Sequence, residues 1–106
     1  MEDCVFCKII DKKIPGQIEA ETEDLLVFKD INPQASVHLL IVPKEHVEDI
    51  RKDTGGYWTL IGKLAVKIAK DKGLDNFRLV HNTGEAAMVK HMHVHLLGEV
   101  EKDRDL

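Results

Sequence analysis

The chain has 106 residues, enough for one domain spanning 1–106 that buries roughly 65% of the surface its unfolded form exposes. With 43% hydrophobic and 32% charged residues it reads as globular rather than disordered, and its longest strictly apolar run, Leu39-Leu40-Ile41-Val42, falls far short of the roughly 20 residues of a membrane span. Fifteen basic residues against nineteen acidic ones leave a net charge of −4, which weighs against gripping long nucleic acid through its phosphates but not against a local pocket for one small nucleotide.

The opening Met1-Glu2-Asp3-Cys4 is acidic and lacks the basic-then-apolar build of a secretory signal, so a cytoplasmic location is expected. Residues 4–11 suit a short helix, ended by the turn signal Pro15-Gly16. Residues 18–21 and 25–30 read as two short strands joined around Thr22-Glu23-Asp24. A third strand, 37–42, is apolar enough to be central, and Pro43 ends it. Across 54–72, Trp58, Ile61, Leu64, Ala65, Ile68 and Ala69 recur at three- and four-residue steps and predict one long amphipathic helix. Asp53 or Thr54 would cap its start and Gly73 would close its end. Residues 77–80 and 91–97 complete five strands, separated by a loop around Asn82-Thr83-Gly84. Strands with one long helix inserted, without regular alternation, predict an α+β domain with a mainly antiparallel sheet.

Six histidines is a high count, and three of them form the row His91-Met92-His93-Val94-His95. On a strand, alternate side chains share a face, so the three imidazoles project one way at steps of about 6.6 Å while Met92, Val94 and Leu96 face the core. Such a row is a solvated face, a metal-chelating face, or a nucleophilic and acid–base centre, since a neutral imidazole can attack phosphorus. The two cysteines, Cys4 and Cys7, are spaced as C-x-x-C. Redox use of the thioredoxin kind wants a βαβ unit that is absent here, whereas zinc needs two further ligands from elsewhere.

His-x-His-x-His followed by Leu96-Leu97-Gly98 resembles the signature of the histidine triad superfamily. Two further blocks match it in order: Cys4 to Ile10 with Ile14-Pro15, and Phe28 to Ala35 followed by His38 to His46. The Leu-Leu-Gly ending leans toward the histidine triad nucleotide-binding branch, and the resemblance covers nearly the whole chain. It implies binding of a purine nucleoside monophosphate moiety, of AMP or GMP type, and cleavage of what is attached to its α-phosphate. His93 would be the nucleophile, His95 would contact a phosphoryl oxygen or the leaving group, and His38 would support or join the catalysis. Asp30 would accept from the ribose hydroxyls and Asn82 would donate to the phosphate. Val5, Phe6, Ile9, Phe28 and Ile31 would wall the base or simply fill the core. The resemblance also completes the cysteine pair with His46 and His91 as a structural zinc site.

It further implies a homodimer, for which the long helix with Tyr57 and Trp58 would serve, although an intrachain core explains the same stripe. Residues 99–106 are short and charged, so no contribution from a partner's tail is expected. One stretch departs from the family pattern. Residues 82–90 are about two residues short, and Met88, which cannot donate a hydrogen bond, stands where a hydroxyl is usual. The alternating pleat would point Lys90 away from the histidine row. The resemblance implies a nucleotide hydrolase or transferase acting through His93 on nucleoside phosphoramidates or related adenylated compounds. A dinucleoside polyphosphate hydrolase, a non-catalytic nucleotide-binding module and a zinc hydrolase stand as alternatives.

Overall fold

The computed structural model describes residues 3–101, so the readings of residues 1–2 and of 102–106 in the tail lie outside the described residues. The elements are α1 (Val5–Ile10), β1 (Ile18–Glu21), β2 (Leu25–Lys29), β3 (Val37–Pro43), α2 (Tyr57–Asp71), β4 (Phe77–His81) and β5 (Val94–Gly98), with 3₁₀ turns at Ile50–Lys52 and Gly84–Ala86. The five strands form one antiparallel sheet in the order β1-β2-β3-β5-β4, so the fold is the expected α+β. Among the described residues no helix is long and apolar enough to cross a membrane.

The central strand β3 explains the architecture. It is buried along nearly its whole length, because both faces of the sheet are covered, and a strand covered on both sides must be apolar throughout. On one face Leu39 and Ile41 join Leu25, Val27, Met92, Val94 and Leu96 beneath Ile61, Ala65 and Ile68 of α2. On the other, Leu40 and Val42 join Leu26, Phe28 and Phe6 of α1. The odd–even partition expected for 91–97 holds: Met92, Val94 and Leu96 enter the α2 face, and the histidines lie opposite.

Several boundaries differ from those expected, most by one residue and two by three. Helix α2 starts at Tyr57 rather than Thr54, because Gly56 adopts the left-handed conformation at φ 74° and breaks the run. Asp53 still caps from a distance, its two carboxylate oxygens accepting from the Tyr57 and Trp58 amides at 2.8 Å each. Trp58 consequently lies on the rim of the stripe, 44% exposed, while Ile61, Ala65, Ile68 and Ala69 are buried. Strand β5 starts at Val94 rather than His91. Its partner β3 ends in Pro43, which has no N–H to extend the ladder, and the Met92 amide turns to the Val47 carbonyl instead. Strand β4 runs one residue further than expected, to His81.

Gly98, at the end of β5, sits where the chain passes closest to its neighbours: a Cβ there would meet Leu74 Cδ1 at 2.8 Å and Val37 Cβ at 3.0 Å. Gly98→Ala is therefore expected to lower stability by about 1–3 kcal/mol, read as a lower urea midpoint with unchanged slope. An unchanged midpoint would show that Leu74 swings aside without cost.

Candidate functional site

The histidine row and the groups that gather around it lie on the α1 face of the sheet, in two clusters joined by His93. The first gathers Cys4, which caps α1, Cys7 within it, His46 after β3, and His91 before β5; their ligand atoms all lie within 4.8 Å of one another. Cys4 Sγ is 3.4 Å and Cys7 Sγ 3.5 Å from His91 Nδ1, Cys7 Sγ is 3.3 Å from His46 Nδ1, and the two Nδ1 atoms are 3.1 Å apart. A tetrahedral zinc with bonds of about 2.3 Å to sulfur and about 2.0 Å to nitrogen requires S···N edges of about 3.5 Å and N···N edges of about 3.3 Å. The four residues fit that figure. The far side of the His91 ring completes the fit, since Nε2–H donates to the Pro43 carbonyl at 2.8 Å and leaves Nδ1 as the lone pair. Burial pushes His91 down to about 4. Burial, then the neighbouring Cys4, pushes the Cys7 thiol up to about 11, so a cation that binds here displaces protons from sulfur.

The second cluster holds Asp30, His38 and His95, their ligand atoms again within 4.8 Å. Its hydrogen bonds run the opposite way. The Gln34 amide donates to His38 Nδ1 at 3.0 Å, so the neutral His38 carries its proton on Nε2, which lies 2.9 Å from His95 Nδ1 and 3.3 Å from Asp30 Oδ2. A ring nitrogen that must keep its proton is a poor metal ligand. Instead His38 donates to His95, which then carries its own proton on Nε2 and offers it outward. Burial, and then the charges of His93 and His38, push His95 down to about 4.

His93 stands between the clusters. Its Nδ1–H donates to the His91 carbonyl at 2.7 Å, so Nε2 of the neutral ring bears the lone pair. Its ring meets the Phe6 ring and the His95 ring edge-on, each at 5.1 Å between centroids. Burial lowers its pKa, which favours the neutral, nucleophilic form.

The remaining sequence-derived residues are scattered in their exposure. Phe6 and Phe28 are buried and touch edge-on at 5.4 Å, and Ile9 packs partly against them. Val5 is 40% exposed and Ile31 91% exposed, both outside the buried cluster. Asn82 is half-buried just past β4. Asp30 ties its own loop by accepting from the Asn32 amide at 2.8 Å. Met88 extends into solvent, 99% exposed. Lys90 does turn from the histidine row, and its amine closes the preceding loop by donating to the carbonyls of Gly84 and Ala87. A cleft of about 490 Å³ runs between 3–5 and 88–90 with Cys4 and His46 on its wall, on the cysteine side of the site.

Sequence reasoning passed over two residues. Asp49, 1% exposed, is gripped by the amide and guanidinium of Arg51, and that guanidinium holds its carboxyl well below the usual carboxylate range. His81, the sixth histidine, bonds the main chain at His93. The surplus of histidines was a signal for the latter. Nothing local marked Asp49.

Comparisons with known proteins identify the family. A family model described as "Scavenger mRNA decapping enzyme C-term binding" matches residues 3–104. The chain is 41% identical over 104 residues to Protein HitA of Neisseria gonorrhoeae, covering 92% of this chain and 97% of that one. The chain belongs to the histidine triad superfamily. Among solved structures, a histidine triad family hydrolase from Clostridium thermocellum superimposes with a TM-score of 0.88 at 40% identity, over 100% of this chain and 98% of that one. A zinc-bound histidine triad family protein from Mycobacterium smegmatis does so with a TM-score of 0.86 at 26% identity, over 97% and 79%.

The depressed His95 has a consequence for stability. Unfolded histidine protonates near 6.5, so between pH about 6.5 and 4 the unfolded chain takes up a proton that folded His95 refuses. Stability contributed by the neutral ring is present above that window and falls with acidification, at roughly 1.4 kcal/mol per pH unit within it. Urea midpoints across this range should fall less steeply for His95→Gln than for the unmodified chain; parallel slopes would contradict the assignment.

Proposed function

We propose that this histidine triad protein is a nucleotide hydrolase or transferase of the nucleotide-binding branch. Its substrates are nucleoside phosphoramidates or adenylated compounds, and it cleaves the bond at the α-phosphate through a nucleotidyl-histidine intermediate on His93. One observation carries the reading: His93 Nδ1–H is committed to the His91 carbonyl, so the lone pair stands on Nε2 of a ring kept neutral by burial. In the forward step Nε2 forms a bond to phosphorus as the bond to the leaving group breaks. The departing amine or alcohol leaves against His95 Nε2–H, which the Gln34–His38 relay holds in that tautomer as a hydrogen-bond donor, and takes its proton from solvent. Water then attacks phosphorus and gives up a proton to solvent, the P–N bond breaks, and nucleoside monophosphate leaves with His93 restored.

In this reading Asp30 accepts from the ribose diol and Asn82 donates to a phosphoryl oxygen. Phe6, Phe28, Ile9, Val5 and Ile31 supply the apolar surface near the base. The zinc is structural, held by Cys4, Cys7, His46 and His91, with the zinc-bound relative as support; when bound it supplies charge to stabilise two thiolates and no step of the reaction. The stripe of α2 fills the chain's own core, and the apolar residues that α2 leaves exposed, Trp58, Leu60 and Val66, are assigned to a homodimer.

A binding-only reading has one observation in its favour. Met88 offers no donor and the Lys90 amine is occupied by loop carbonyls, so the loop before the triad brings few side-chain donors to a developing charge.

Incubation with adenosine phosphoramidate and with diadenosine tetraphosphate should release AMP, faster from the former. His93→Ala should reduce turnover on the order of a thousandfold or more. AMP binding without turnover would select the binding-only reading, and turnover indifferent to His93→Ala would discard the nucleophile. Metal analysis of protein purified without chelator should find about one zinc per chain, reduced in Cys4→Ser. A metal-free protein of equal stability would remove the zinc.

A further inference from the structure

The nucleophile proposed above sits where the sheet gives it no ladder. Strand β5 begins at Val94, so the peptide joining His93 to Val94 lies at the edge of regular pairing, and its carbonyl needs a partner in a buried setting. The His81 ring at the end of β4 supplies one: Nδ1–H donates to the His93 carbonyl at 2.8 Å. Its other nitrogen, Nε2, accepts from the Ile50 amide at 3.1 Å. A carbonyl can only accept and an amide can only donate, so these two main-chain partners fix the neutral tautomer of His81 between them.

The far anchor is rigid. Ile50 follows the buried Asp49, whose carboxylate accepts from the Arg51 amide at 2.9 Å and from its Nε and Nη2 at 3.0 and 2.7 Å. The same carboxylate lies 3.5 Å from the Gly84 amide in the loop before the histidine row. Trp58 covers the His81 ring at 5.8 Å between centroids. An unbroken path therefore runs from the Asp49–Arg51 turn through a ring to the main chain of His93.

We infer that His81 is a positioning residue for His93: it ties the His93 carbonyl to the turn at 49–51 and thereby sets where His93 Nε2 meets phosphorus. This rests on the reading of His93 as nucleophile. In-line attack tolerates little displacement, since about 1 Å of misplacement can cost on the order of a hundredfold in rate. His81 is itself none of the groups assigned to ribose, base and phosphate, and both its ring nitrogens are committed to main-chain partners, so its loss should fall on kcat and not on nucleotide affinity.

Three variants separate this from a merely structural role. His81→Phe keeps the ring and the Trp58 contact but loses both bonds; it should lower kcat for AMP release about ten- to hundredfold, with KM and AMP affinity within about threefold. His81→Asn places an N–H where Nδ1 stands and should recover most of kcat. His81→Gln reaches the Nε2 position only and should not. Thermal midpoint and zinc content report folding alongside. A kcat for His81→Phe equal to that of the unmodified chain overturns the inference, as does equal impairment of Phe and Asn variants in step with lost stability. Should the unmodified chain show no His93-dependent turnover, the proposed function falls on its own. The ring ¹⁵N signals of His93 still decide this point: a shift in His81→Phe restored in His81→Asn supports the tie, and unaltered signals refute it.

Discussion

The imidazole and carbonyl of His91 carry the arrangement on which everything else on this face depends. The ring points Nδ1 at two thiols and a second imidazole, and its opposite nitrogen is fixed by the Pro43 carbonyl. The carbonyl of the same residue receives the His93 Nδ1 proton. One residue thus anchors the amino-terminal segment with its side chain and sets the tautomer of its second neighbour with its backbone. A displacement of His91 would loosen α1 and blur the proton position on His93 together. That coupling follows from the alternation of faces in the segment leading into β5: two residues of one face are joined through an intervening residue that points into the core, here Met92, fully buried beneath α2.

Two clusters of similar residue type have opposite chemistry, and main-chain partners decide which is which. At His91 a carbonyl takes the ring proton on the far side, freeing the near nitrogen to ligate. At His38 an amide occupies the far nitrogen, forcing the proton onto the near one. Counting histidines, cysteines and carboxylates within reach of one another would group both clusters as metal sites. The direction of a single hydrogen bond in each separates a site suited to a cation from one suited to presenting a hydrogen-bond donor.

Much of this was legible in the residues. The alternation His91, His93, His95 against Met92, Val94, Leu96 assigned faces correctly because period-two patterning needs only a buried side and an open one. The apolar run of β3 marked it as central for the same reason. The strand order was not legible, since neighbouring strands β3 and β5 are separated in the chain by α2 and β4, and no local property encodes that crossover. The start of α2 was misjudged because Gly56 could have been a weak helical residue as easily as a left-handed cap. His81 and Asp49 were missed for a deeper reason. Each acts on main-chain atoms more than ten residues away, His93 for one and Gly84 for the other, and side-chain identity says nothing about which distant carbonyl or amide lacks a partner. The convergence of Cys4, Cys7, His46 and His91 was legible only through family resemblance.

The protons on His93 and His38 are dictated by a carbonyl and an amide of the backbone, the His91 oxygen and the Gln34 nitrogen. Replacing side chains around those two anchors leaves the dictating atoms in place. Redesign of the surrounding pocket, whether to admit a bulkier base or a different departing group, can therefore proceed by ordinary point changes without rewriting which nitrogen attacks and which donates. Adding or deleting a residue in the segments leading to those anchors is another matter: it would reroute the peptide units themselves and exchange the reactive edge of an imidazole for its inert one.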